Sequence, residues 1–131
     1  MTKPGVDLKP FHEVIKPCQR LEIPKLSNSL GISVTLLCEN FQHTGSFKFR
    51  AAYYVALNVP QTTLITVSSG NFGQALAYAC QLLGKSCHVI MPDNATRSKI
   101  EATRDFGASV YLVDTRRKGR SDYLMELAAV Y

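Results

Sequence analysis

The chain has 131 residues, 46% of them apolar and 19% charged, with a formal charge of +5. That is enough for one ordinary globular core and not clearly for two, and it excludes a compositionally disordered chain. No run approaches the ~20 apolar residues of a membrane span, and Met1-Thr2-Lys3-Pro4-Gly5 carries no apolar leader segment, so a cytoplasmic protein with no membrane partner is expected.

The positive charge does not read as a nucleic-acid surface. Its one dense run, Arg116-Arg117-Lys118-Gly119-Arg120, has no interleaved aromatics and reads as a solvated loop. The four cysteines, Cys18, Cys38, Cys80 and Cys87, form no C-x-x-C pair, and the last three lie in apolar runs. Reduced, buried thiols are predicted. His12, His43 and His88 share no ligand spacing with them, so no structural metal is expected.

In chain order, Pro4, Pro10, Pro17 and Pro24 break the first 25 residues into an arm with at most a short turn near Phe11 to Lys16. A brief helix over Leu26–Leu30 stops at Gly31, and Ile32–Cys38 reads as a strand. Next comes a helix led by Lys48 and closed by Pro60. From Thr63 the pattern is regular: strand Leu64–Val67, helix Gly73–Leu83, strand Cys87–Met91, helix Thr96–Phe106, strand Val110–Val113 and a last helix capped by Ser121. On that last helix Leu124, Leu127, Ala128 and Tyr131 share a face. Three strand-helix units with short connections predict an open parallel α/β sheet in three layers, with right-handed crossovers and ligands at the carboxyl ends of the strands.

Two stretches carry chemistry. The first is Thr44-Gly45-Ser46-Phe47-Lys48, in which Ser46 caps the helix and Lys48 heads a stripe formed with Ala51, Ala52, Val55 and Val59, while Arg50, Tyr53 and Asn58 fall on other faces. Burial and the positive end of the helix dipole would both disfavour its ammonium form. A neutral lysine attacks carbonyls and forms Schiff bases. A lysine whose stem packs while its head reaches water is the plainer alternative.

The second is Ser68-Ser69-Gly70-Asn71-Phe72-Gly73, at the carboxyl end of a strand and leading into a helix. Free backbone N–H groups and the helix dipole make such a start an anion site, and an ordinary tight turn is the alternative. Gly70 and Gly73 also match the last two glycines of a dinucleotide fingerprint, with Asp93 where a ribose-binding acid stands, but Ser68 replaces the first glycine. On residues alone, dinucleotide binding and a lysine-bound aldehyde cofactor stand level.

Taken together, Glu39 through Arg50, Ser68-Ser69-Gly70-Asn71 with Gly73 through Ala79, and Phe106-Gly107-Ala108-Ser109-Val110 resemble the amino-terminal part of pyridoxal-phosphate-dependent enzymes of fold type II, the tryptophan-synthase-β fold. Within them the resemblance is strongest to the threonine/serine dehydratase and serine racemase branch, from about Pro24 onward. It implies pyridoxal 5'-phosphate as cofactor, held by Lys48 as an internal aldimine, with Phe47 beside the ring and Asn71 on its phenolic oxygen. It also implies that Lys48 moves the Cα proton, that Ser68, Ser69, Gly70, Asn71 and Phe72 grip the carboxylate of a small amino acid, and that Ser69 is the acid/base on the opposite face. Arg120 is a further contact or a solvated arginine. The implied reaction is β-elimination releasing ammonia, with racemisation as the alternative.

Phe72 stands where the branch commonly has histidine, Ala51 where it has glycine and Leu37 where it has lysine. Phe72 bears on substrate size and specificity. No two of the eight glycines are adjacent, so the family's glycine-rich phosphate loop is missing. The resemblance divides the chain into residues 1–55, an arm and incomplete large-domain segment carrying the lysine, and residues 56–131, the small α/β domain. A truncated chain, inactive alone and with an uncovered apolar face, is expected. A homo-oligomer, pairing with a full-length relative, or survival as a non-catalytic interaction module are left open.

Overall fold

The computed structural model describes residues 9–131, and the Met1–Gly5 start lies outside them. Its first part comprises α1 (Lys9–Val14), β1 (Gln19–Glu22), α2 (Pro24–Leu30), β2 (Thr35–Cys38) and two single turns of 3₁₀ helix over Glu39–Phe41 and His43–Gly45. The second comprises α3 (Lys48–Asn58), β3 (Thr63–Val67), α4 (Asn71–Leu82), β4 (Ser86–Pro92), α5 (Arg97–Asp105), β5 (Ser109–Val113) and α6 (Arg120–Ala128). No described helix is long and apolar enough to cross a membrane.

Proline opens α2, where its missing N–H costs nothing, and Gly31, at φ 68°, closes it in the left-handed region. The Ser27 hydroxyl then accepts from the Val34 N–H at 2.9 Å and donates to the Ile23 carbonyl at 2.9 Å, turning the chain back into β2. There β2 pairs antiparallel with β1, Arg20 facing Leu37 and Leu21 facing Leu36.

The sheet of the second part is parallel in the order β3-β4-β5, so β3 and β5 are its outer strands. Alternation along β4 separates its two faces. Cys87, Val89 and Met91 join Ala75, Leu76 and Ala79 of α4 in the main core. Ile90 looks the other way, towards Tyr123, Leu127 and Val130 in a cleft of about 260 Å³ under α6. Helices therefore cover both faces, as a parallel sheet requires. Across α4 lies α3, whose carboxyl end is fastened by the Lys85 ammonium donating to the Ala56 and Val59 carbonyls at 2.6 Å each.

From Thr63 onward the elements stand within a residue or two of the predicted ones, except that α6 ends at Ala128 and leaves Tyr131, expected on its apolar face, beyond the helix. Earlier, the strand expected over Ile32–Cys38 pairs only over Thr35–Cys38, and β1 is new, because Gln-Arg-Leu-Glu shows no apolar alternation. Further expectations are corrected. The buried face of α3 is Phe49, Ala52, Tyr53 and Ala56, while Ala51 and Val55 are exposed. Ring stacking sets this rotation: Phe49 lies 4.9 Å from His43, 5.6 Å from Tyr53 and 5.5 Å from Tyr78 of α4, centroid to centroid. Ser46 does not cap α3, which starts from Phe47 with no side-chain cap. Nor does Ser121 cap α6, which starts from Gly119 and buries none of its residues. All four cysteines are free, Cys80 and Cys87 buried as expected but Cys38, with Cys18, only half-buried. The basic run after β5 is the exposed loop expected, with surface ion pairs of Arg116 with Asp114 and Asp93, Arg117 with Asp114, and Lys118 with Glu126.

Candidate active site

The turn that presents Lys48 is tied down from both sides. The Gln42 amide makes a double bond pair with the Lys16 backbone, donating to its carbonyl at 2.8 Å and accepting from its N–H at 3.2 Å. His43 Nε2 lies 3.0 Å from the Val14 carbonyl. Arg50 clasps Glu39 with two bonds of 2.8 and 2.7 Å and reaches the Lys16 carbonyl at 3.1 Å. That fork holds the Glu39 carboxyl below the usual carboxylate range, the Arg50 bond being the largest cause. Gln42 and His43 carry no mark of this role in the sequence; the only signal was the opposite charge of Glu39 and Arg50 on either side of the turn.

Within this frame Thr44 adopts φ 59°, a left-handed backbone that a β-branched residue rarely takes, and Gly45 follows at φ 69°. The buried Thr44 and Ser46 hydroxyls have no hydrogen-bond partner among the described residues. Lys48 is half-buried as the first residue of α3, with Nζ 4.6 Å from the centroid of the exposed Phe47 ring. Among the described residues it makes no ion pair, whereas the neighbouring Arg50 is neutralised.

Against the His43–Gly45 turn packs α4, the helix that follows the serine-glycine-asparagine turn. Ser68 closes that turn: its N–H donates to the Ile90 carbonyl at 3.1 Å, and its hydroxyl accepts from Gly73 at 3.0 Å and Gly70 at 3.4 Å. The N–H groups of Ser69, Asn71 and Phe72 are left without a partner among the described residues. Gly73 permits the close approach, since a Cβ there would sit 3.0 Å from the Ser68 carbonyl oxygen and 3.1 Å from Val89 Cγ1. Asn71 is exposed, Ser69 and Gly70 half-buried, and Phe72 packs against the core. Arg120 is exposed at the start of α6, apart from these bonds.

An amine without an acidic partner and a helix start with three free donors, both among the described residues, are a donor set for an anionic aldehyde and an amino-acid carboxylate. A lysine amine condenses with an aldehyde, so Lys48 fits pyridoxal phosphate at that end, while the sequence shows no glycine-rich loop for the phosphate. The profile of the family "pyridoxal-phosphate dependent enzyme" matches residues 12–130. The chain belongs to that family.

Among its relatives, this pyridoxal-phosphate family chain is 34% identical over 137 residues to L-threo-3-hydroxyaspartate ammonia-lyase of a Pseudomonas species, covering 94% of this chain and 43% of that enzyme. It is 42% identical over 90 residues to L-threonine ammonia-lyase of Geobacter sulfurreducens, covering 66% of this chain and 22% of that enzyme. The crystal structure of serine racemase from Dictyostelium discoideum superposes with a TM-score of 0.86 at 29% identity, covering 93% of this chain and 41% of that one. The fold is that of the fold type II enzymes. The chain spans less than half the length of each of these relatives.

Proposed function

We propose that the chain is the lysine-bearing part of a serine/threonine-type ammonia-lyase. The observation that carries this is Lys48, an amine with no ion-pair partner among the described residues, on a turn packed against the helix whose start offers three N–H groups likewise unpartnered there. Lys48 would hold the cofactor, with Phe47 at its ring and Asn71 at its phenolic oxygen; when bound, pyridoxal phosphate supplies a sink for the electron pair left at Cα. Lys48 takes the Cα proton. Main-chain N–H groups from Ser69 to Phe72 grip the substrate carboxylate and fix which bond at Cα faces the lysine. Ser69 serves the opposite face. Loss of the β-hydroxyl then leads to the 2-oxo acid and ammonia.

The racemase reading shares every one of these groups, and the similarity to Dictyostelium serine racemase favours it specifically. The division into residues 1–55 and 56–131 belongs to this proposal, supported by the two separate sheets, with α3 running across the boundary. So does a cytoplasmic setting, supported by four free thiols. In this reading turnover also draws on the phosphate loop and the other parts of the relatives that the 131 residues do not span.

The test is to mix the protein with pyridoxal phosphate and borohydride, map the reduced adduct by peptide mass spectrometry, and assay ammonia from L-serine and L-threonine. The expected result is modification of Lys48 ahead of Lys16, Lys25 and Lys99, with no ammonia from the chain alone. Even labelling of all these lysines would refute the role of Lys48; ammonia release would refute incompleteness.

A further inference from the structure

The two helices on opposite faces of the parallel sheet are packed differently. On one face α4 buries Ala75, Leu76 and Ala79, whereas α6, lying across β3 and β4 on the other, buries none of its residues. Between α6 and the β5 half of the sheet runs the cleft of about 260 Å³, with Ile90, Tyr111 and Val113 on its floor and Tyr123, Leu127 and Val130 along its wall. A cavity of about 150 Å³ lined by carbon already holds benzene, so this one has room for a single-ring molecule.

The polar groups around the cleft are committed elsewhere. The Tyr123 hydroxyl donates to the Asp114 carbonyl at 3.1 Å, and the Tyr111 hydroxyl lies 3.1 Å from His88 Nδ1 and 3.3 Å from the Tyr131 hydroxyl. Glu126 at the rim pairs with Lys118, whose ammonium also stands 5.2 Å from the centroid of the Tyr123 ring. What remains is aliphatic surface and two aromatic rings, a lining that favours another ring. A charged ligand would leave water with nothing to compensate it, and an anion would also meet the Glu126 carboxylate.

We propose that this cleft is a binding site for a small uncharged aromatic molecule, and that its occupancy is felt at the serine-glycine-asparagine turn. The connection is Ile90, whose side chain forms the floor while its carbonyl accepts the Ser68 N–H at 3.1 Å. A ligand against Ile90 steadies β4 at the residue that holds that turn. Binding is independent of any role for Lys48; only the bearing of the Ser68 response on chemistry rests on the function proposed above.

The test is amide NMR of the protein titrated with benzyl alcohol, phenethylammonium and phenylacetate, which share a ring and differ in charge. Benzyl alcohol is expected to shift the amides of Ile90, Tyr111, Val113 and Leu127 saturably, and that of Ser68 with them. Phenylacetate should bind at least about tenfold more weakly, and phenethylammonium no more tightly than the alcohol, because Lys118 already holds Glu126. Leu127 is half-buried, so Leu127→Trp fills the cleft and Leu127→Asp adds a carboxylate to it; each should weaken benzyl alcohol about tenfold with the Ala79 and Val89 core amides in place. Should one variant not fold, the other decides. The site is overturned by absent shifts, by equal shifts at the exposed Leu36 and Leu37, by equal affinity for phenylacetate, by tighter binding of phenethylammonium, or by full affinity in the folded variants. Saturable shifts in the cleft with an unmoved Ser68 amide keep the site and overturn its link to the turn. If borohydride fails to select Lys48 while the cleft shifts persist, the function proposed above fails and the site stands.

Discussion

The β1–β2 ribbon and the β3–β4–β5 sheet both carry apolar residues and end up in opposite conditions. The sheet is covered on both faces, and β4 is buried from Cys87 to Pro92. On the ribbon, Leu36 and Leu37 point to opposite faces and both are exposed, Leu37 by 69%, with all of β1 exposed beside them. A two-stranded ribbon has no layer of its own to pack against, so its register is held by backbone pairing and by the Gln42, His43 and Arg50 fastenings at its base. The parallel sheet carries helices on both faces; the ribbon is a surface.

Four substitutions probe that contrast, from the largest effect down. Phe49→Ala empties the stack that joins α3 to α4 and should cost about 3–5 kcal/mol in urea unfolding. Gly73→Val drives a side chain into the Ser68 carbonyl and Val89 and should cost roughly 1–3 kcal/mol, with loss of the anion site at the head of α4. Glu39→Gln acts on the base of the ribbon through a charge. Because the folded Glu39 pKa is depressed, its stabilisation is fully present above the unfolded pKa of about 4.3 and is lost as pH falls through the lower folded value. The variant should therefore be less stable at pH 7, by about 1 kcal/mol, yet show a flatter acid limb in pH-dependent unfolding. Leu37→Lys should change stability by less than about 0.5 kcal/mol, and a larger loss would mean that the ribbon face is covered after all.

The same contrast explains what could be read in advance. Where short apolar strands alternate with helical periods, local pattern and burial agree, and the order from β3 to α6 was legible within a residue or two. Phe49 and Tyr53 escaped notice because alanines and valines on the other side of α3 make an equally good stripe; only the stack with His43 and Tyr78, distant in sequence, decides between them. Likewise β1 is specified by its pairing with β2 rather than by its own residues. At the candidate site, the residue types at positions 48 and 68 to 73 carried the chemistry, whereas the anchors Gln42 and His43 exist only through contacts with backbone 26 and 29 residues away.

Lys85 has a practical corollary. Its ammonium is committed to two main-chain carbonyls, so aldehydes and acylating reagents, which require a free amine lone pair, should pass it by while the helix end it holds stays wound. Peptide maps of such reactions thus contain a built-in reporter: when Lys85 begins to be modified, α3 has come loose at its far end, and any labelling of Lys48 from that moment belongs to an opened chain.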